Sequence, residues 1–152
     1  MIRRAVASDA TQLLALMRGL AQFEGYDDRF AVTEDALLER GFSAQRPPEF
    51  IAWVAEMEGR LVGYAVIYVI PFTFDLRPTL VLKELFIESQ ARGRDVGRGL
   101  MRAAIEHGRA VNARLIRWQV LPGNEAAKRF YRQHGAEVDG DWENWYLDLD
   151  RR

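Results

Sequence analysis

Leu80–Met101 reads LVLKELFIESQARGRDVGRGLM: an apolar run, a loop dense in glycine and arginine, and the start of a periodic stretch. From Val96 the apolar positions fall at Val96, Leu100, Ala103, Ala104, His107 and Val111, which is helical spacing with one apolar side. The glycine-rich loop therefore joins a strand to a helix. Glycines let a backbone turn tightly and bring its amides close to a ligand, and a helix N-terminus adds partial positive charge, so this arrangement suits a phosphate-like anion. No Gly-Lys-Ser/Thr follows, which excludes a nucleoside-triphosphate loop. Glycines at 93, 97 and 99 lack the G-x-G-x-x-G spacing of a dinucleotide site. The alternative is a strained turn whose Arg94, Arg98 and Arg102 form a solvated helix face at i, i+4 spacing.

Working outward, Ile2–Val6 predicts a short strand and the following stretch a helix. Ser8 or Asp9 can cap that helix, Asp9 and Gln12 have capping-box spacing, and Leu13, Leu16, Met17 and Leu20 form its apolar stripe. Thr33 suits the N-cap of a second helix, with Glu34 and Asp35 at the positive end of its dipole and Gly41 at its end. FIAWVAEM and RLVGYAVIYVI flank Glu58-Gly59 and predict a β-hairpin. Thr79–Ile87 predicts another strand, RLIRWQVL a further one, Asn124–His134 a helix and NWYLDL a final strand, with one more short strand possible near Val138. Strands that pair as hairpins early and alternate with helices late imply an α/β (α+β) fold: a mixed sheet of six to seven strands flanked by about four helices.

Composition narrows the function classes. The 152 residues contain no cysteine, which rules out disulfides, thiol catalysis and thiolate-bound zinc, and the only histidines, His107 and His134, are far apart. No metal site is expected. A net charge of −1 gives no whole-molecule basic field, so a nucleic-acid surface would rest on the local arginines alone. No apolar run reaches membrane-spanning length and no leader pattern opens the chain, so neither membrane nor secretion is indicated and a cytoplasmic protein is expected. Repeats, low-complexity segments and linkers are absent, which predicts one domain over 1–152.

LKELFIESQARGRDVGRGLM resembles the pyrophosphate-binding signature of the GNAT acyltransferases, Arg/Gln-x-x-Gly-x-Gly/Ala between a strand and a helix. Aligned on the strand, Arg92 is its first residue and Gly97 its last. Asp95 then stands at the usual middle glycine and must adopt that glycine's backbone conformation. A second register, Arg94 to Gly99, would place two extra residues between strand and loop. GNEAAKRFYRQHGA, Gly123–Ala136, resembles the second GNAT signature, Asn-x6-Tyr followed by Gly-Ala, with Asn124 and Tyr131 at that spacing. Read alone, Tyr131 is more readily a core aromatic beside Phe130. GLAQFEGY, VTEDALLERGF and RFYRQHGA are placed as in the diamine (spermidine/spermine) and thialysine acetyltransferase branch.

The resemblance implies a GNAT fold, a homodimer, and direct transfer of acetyl from acetyl-CoA to a primary amine of a small molecule. It implies that Leu85, Phe86 and Ile87 run beside the pantetheine arm and that Arg92, Gly93, Arg94, Asp95, Val96, Gly97 and Arg98 form the pyrophosphate loop. Asn124 joins the coenzyme site, and Tyr131 is the acid that protonates the departing thiolate. Phe23, Glu24 and Asp27 are expected at the acceptor. Where the diamine branch reads Leu-Glu-Asp before Phe-Phe-Val, this chain reads Leu82-Lys83-Glu84 before Leu-Phe-Ile, so a cation replaces the acid that binds and helps deprotonate the amine. Strict alternation places Lys83 with Leu85 and turns Glu84 the other way, which predicts that Glu84 does not replace that acid and that an acceptor carrying a carboxylate beside its amine is preferred over a polyamine. A non-catalytic acyl-CoA-binding module of the same fold is the competing reading.

Overall fold

The computed structural model describes residues 1–151, which fall into two compact units, Met1–Trp118 and the residues from Gln119 on. In the first unit the strands are β1 (Ile2–Arg4), β2 (Ile51–Met57), β3 (Arg60–Ile70), β4 (Thr79–Ile87) and β5 (Leu115–Arg117), and the helices are α1 (Ala10–Glu24), α2 (Glu34–Gly41) and α3 (Val96–Ala110). The sheet order is β1-β2-β3-β4-β5. All neighbours are antiparallel except β4 and β5. A parallel pair requires a crossover, and α3 supplies it.

Local chemistry explains several of these elements. Glu58 and Gly59 both have positive φ, 53° and 76°, which is the two-residue turn whose twist matches a hairpin. The Thr33 hydroxyl accepts from the Ala36 amide at 3.1 Å and caps α2. The expected Asp9–Gln12 capping box does not form. Asp9 instead accepts both Arg3 guanidinium arms, at 2.8 and 2.9 Å, and the Val6 amide at 2.8 Å. Gln12 accepts from the Leu61 amide at 2.9 Å. Its side chain thus ties α1 to the β2–β3 hairpin, and Asp9 ties the entry of α1 to β1.

The sheet divides two apolar layers. On one face Leu13, Leu16, Met17 and Leu20 of α1 and Leu37 of α2 pack with Val54, Tyr64 and Val66. On the other face lies α3, which buries Val96, Leu100, Met101 and Ala104. A Cβ on Gly63 would come within 3.4 Å of Leu100, and one on Gly108 within 3.2 Å of Leu80. The β3–β4 register pairs Val66 with Glu84 and Ile67 with Leu82, so Lys83 is the extra residue of a β-bulge.

The bulge corrects the expected alternation. Leu80 and Leu82 face α3, but after Lys83 the parity flips, and Glu84 and Phe86 join Val66 and Tyr64 on the α1 face. Lys83 itself is exposed.

The second unit contains α4 (Glu125–Gln133), capped by the Asn124 side chain, which accepts from the Ala127 amide at 3.1 Å. Gly135, with φ 84°, reverses the chain after it. The expected strands at NWYLDL and near Val138 are not formed, and RLIRWQVL yields only Leu115–Arg117. The sheet therefore has five strands rather than six to seven. Trp145, Leu147 and Leu149 keep the alternating pattern, yet they are 86%, 83% and 88% exposed, and no ladder supports them; alternation marks a strand only where a neighbour completes its hydrogen bonds.

Candidate active site

The backbone of β4 is available on one side. Along β3 it is paired through Ile87, but toward β5 the register covers only Thr79, Leu80 and Val81. Among the described residues of the first unit no strand continues along that edge, so Leu82–Phe86 presents peptide groups to a ligand that could lie as an added strand, while the Ile87 carbonyl already accepts from Arg92. Leu85, Phe86 and Ile87 are all half-buried there.

The edge runs directly into the glycine-rich loop. Ser89–Ala91 make a 3-10 turn and Ala91 is buried, which anchors the loop from below. Gly93 follows at φ 77° and Asp95 at φ 62°, both left-handed. Asp95 thus adopts the conformation expected of the glycine it replaces, at a cost an aspartate tolerates better than most residues. It makes no side-chain cap on α3, so it satisfies none of the helix's first-turn amides. Its carboxylate lies 3.9 Å from Arg98, and both side chains are exposed. Arg94 is also exposed, Val96 is buried beneath the loop, and Gly97 is half-buried in the first turn of α3. Amides without a side-chain cap, two left-handed residues and flanking arginines suit an anion such as a pyrophosphate.

Arg92 does not extend toward that loop. Its Nε donates to the Ile87 carbonyl at 2.9 Å, and its guanidinium lies 5.3 Å from the centre of the Phe23 ring and 5.9 Å from that of Phe86. Arg92, Phe23 and Phe86 line a groove of about 380 Å³ shared with Gly19, Glu88 and Gln90.

On the α1 face, the Tyr64 hydroxyl donates to Glu84 Oε1 at 3.1 Å. Burial pushes the Glu84 carboxyl above the usual carboxylate range, Glu24 adds to the rise, and the Tyr64 hydroxyl and Lys83 oppose it. Burial likewise raises Tyr26 and Tyr64, and Glu84 and Glu24 raise both further. Tyr68 is raised in the same way by burial and Glu84. Glu84, half-buried, therefore has the hydroxyl of the fully buried Tyr64 behind it and lies within the electrostatic reach of Glu24, Tyr26 and Tyr68, a negatively biased setting that suits a protonated amine. Its carboxyl is poised closer to neutral pH than an ordinary glutamate.

Of the residues expected at the acceptor, Glu24 and Lys83 act on Glu84 through their charges. Phe23 carries the Arg92 guanidinium over its ring. Asp27 lies exposed in a 3-10 turn, Asp27–Arg29. The bulge at Lys83 sets Glu84 on the face opposite to Leu82, with Tyr64 and Phe86, while Glu84 and Leu85 still alternate. The placement of Glu84 beside Tyr64 was not expected because a bulge leaves no mark in local composition. In the second unit, Asn124 serves as the cap of α4, and Tyr131 is half-buried with its ring 5.5 Å from that of Phe130.

Among the described residues there is no group of three or more His, Cys, Asp and Glu that could hold a metal, and no helix is long and apolar enough to cross a membrane.

Residues 13–136 match the acetyltransferase (GNAT) family. Mouse thialysine N-epsilon-acetyltransferase is 30% identical, the match covering 95% of this chain and 88% of that protein. Human spermidine/spermine N(1)-acetyltransferase-like protein 1 is 27% identical over 96% of this chain and 22% of its own length. The solved structure of an aminoglycoside acetyltransferase from an uncultured soil metagenomic sample, in complex with sisomicin, superposes with a TM-score of 0.82 at 17% identity, covering 98% of this chain and 95% of that one. That last likeness is one of fold.

Proposed function

Since the chain belongs to the GNAT acetyltransferase family, we propose that it transfers the acetyl group of acetyl-CoA to a primary amine of a small molecule. The observation that carries this reading is the unpaired edge of β4 over Leu82–Phe86, which leads into an uncapped helix N-terminus at one end and passes Glu84 on the way. Pantetheine would run beside Leu85–Ile87, with the pyrophosphate on the amides from Gly93 to Arg98. Acetyl-CoA supplies the activated thioester. The family match crosses both units, which supports one acetyltransferase domain over 1–152.

The residues then have definite roles. An alkylammonium has no lone pair, so Glu84 takes a proton from it, and the raised carboxyl is a stronger base than an exposed glutamate. The free amine attacks the thioester carbonyl, where a backbone amide of β4 stabilises the developing oxyanion. The C–N bond forms as the C–S bond breaks. Tyr131 gives its phenolic proton to the departing thiolate, and the second proton that the attacking nitrogen sheds restores the phenol. Glu24 and Glu84 attract the acceptor's ammonium, while Lys83, a cation on the same strand, favours an acceptor that also carries a carboxylate. Amino acid-like amines are therefore expected to be better substrates than polyamines.

The chain is further proposed to work as a homodimer. The apolar side chains that remain exposed support this: Phe72 and Phe74 at 86% each in the first unit, and Trp145 at 86% and Tyr146 at 93% in the second.

A steady-state assay with acetyl-CoA and a panel of amines tests the proposal. Saturable acetylation of at least one amine is expected. Acetyl-CoA binding without turnover of any amine would leave only a binding module, and no acetyl-CoA binding would overturn the reading altogether.

A further inference from the structure

The loop that follows β4 needs something to hold it open to an anion. Gly93 and Asp95 are both left-handed, so the direction in which the loop leaves the strand depends on the residue before them. Arg92 is that residue. Its Nε bond to the Ile87 carbonyl closes the turn between strand end and loop. The rest of its guanidinium rests against two aromatic rings, one from β4 itself (Phe86) and one from the last turn of α1 (Phe23). Phe86 is fixed: it packs where a Cβ on Gly19 would come within 3.0 Å, and its ring lies 6.4 Å from Tyr64 in a tilted arrangement. Phe23 is different. It is 58% exposed, and among the described residues its ring has Arg92 as its charged partner.

An aromatic ring left largely in water at a helix end gains little from burial. Its contact with a cation that also fixes a backbone carbonyl gives it a specific task. A planar guanidinium can stack on a ring and donate from Nε at the same time, which an ammonium cannot. We propose that Arg92 is a positioning residue that shapes the coenzyme loop rather than a ligand of the pyrophosphate, and that Phe23, on α1, acts through it. Phe23 thereby belongs with coenzyme binding and not with the acceptor. The inference rests on the proposed acetyl-CoA site.

The test is acetyl-CoA affinity by calorimetry, with KM for each substrate measured beside it, on Phe23→Ala, Phe23→Tyr, Arg92→Lys, Arg92→Ala and the double variant Phe23→Ala/Arg92→Ala. Phe23→Ala should weaken acetyl-CoA roughly two- to fivefold, the range expected for an exposed cation–π contact. It should leave the acceptor KM and the saturated rate unchanged, and Phe23→Tyr should restore affinity because it keeps the ring face. Arg92→Lys should bind as poorly as Arg92→Ala. The double variant should be no worse than Arg92→Ala alone, since both act on one contact. Three results would each overturn the inference: unchanged coenzyme affinity in Phe23→Ala, a raised acceptor KM as its only effect, or an Arg92→Lys variant that binds like the parent because charge alone suffices. A parent protein that fails to bind acetyl-CoA would instead sink the enzyme reading, so the two failures are distinct.

Discussion

Removing the Tyr64 hydroxyl isolates the base. Tyr64 is fully buried, and Tyr64→Phe keeps the ring against Phe86 while deleting the donor to Glu84 Oε1. That hydrogen bond favours the ionised carboxylate and opposes the rise that burial causes, so its loss drives the Glu84 carboxyl further upward. A hydrogen bond to a charged group contributes about 1.5–3 kcal/mol. At any pH on the acidic limb of the rate profile, the ionised fraction of Glu84, and with it kcat/KM, should fall roughly 10- to 100-fold. On the plateau, where Glu84 is ionised in both proteins, the two rates should converge. The assay is kcat/KM for the best amine from pH 5 to 10, with acetyl-CoA saturating. The limb should move to higher pH with its plateau nearly intact. An unmoved limb would show that Glu84 is not the group whose ionisation limits the rate, and an equal loss at every pH would show that Tyr64 matters for packing or binding instead.

Other perturbations probe the remaining parts. Asp95→Gly relieves a left-handed non-glycine residue and removes a negative charge from the anion loop, so it should tighten acetyl-CoA and stabilise the fold by about 1 kcal/mol, read by calorimetry and thermal melting. Tyr131→Phe should lower the single-turnover rate by roughly 10²-fold or more with acetyl-CoA affinity preserved. Lys83→Glu replaces a repulsion of about 4 kcal/mol, before solvent screening, by an attraction, and should shift the competition between polyamine and amino-acid acceptors toward the polyamine. Asp9→Asn loses a buried carboxylate held below its usual range chiefly by the Arg3 hydrogen bonds. A depressed folded pKa stabilises above the unfolded value and is lost as pH falls through the folded one, so the variant should be about 1.5–3 kcal/mol less stable at pH 7 and should approach the parent in melts below pH 4.

What was legible in the sequence was local. The strand-loop-helix at Leu80–Met101 was readable because glycine placement and helical period both act over a few residues, and so were the Glu58-Gly59 turn and the Thr33 and Asn124 capped helices. Asp95 shows the same rule at one residue: the position demands a left-handed backbone, and the aspartate adopts it. Contacts between distant segments were not legible. Gln12 has capping-box spacing to Asp9, but the Leu61 amide, 49 residues away, takes its side chain. Arg92 sits in a signature of phosphate-binding residues, and its Nε bond to the Ile87 carbonyl and its contact with the Phe23 ring, 69 residues away, could not be read from that signature. NWYLDL alternates as a strand does, but pattern cannot supply the neighbour that a strand requires.

The bulge at Lys83 is the step at which fold becomes chemistry. Had β4 kept strict alternation, Leu82, Glu84 and Phe86 would share one face, and a glutamate on the α3 side would be buried among Leu100, Met101 and Ala104 with no donor and no amine to meet. One extra residue inverts the parity after it. The upstream half of the strand still supplies Leu80 and Leu82 to the α3 layer, while the downstream half delivers Glu84 and Phe86 to the α1 layer, where a tyrosine hydroxyl and an acidic helix end are waiting. The inserted residue itself faces solvent, so a cation at that position costs the core nothing and is free to act on whatever binds beside Glu84. Lys83 is exposed, so on the proposed reading an acid-to-lysine swap at the bulge would leave the fold intact and change the charge that an acceptor bound beside Glu84 meets, and a change of substrate, rather than loss of structure, is the expected consequence of this departure from the diamine pattern.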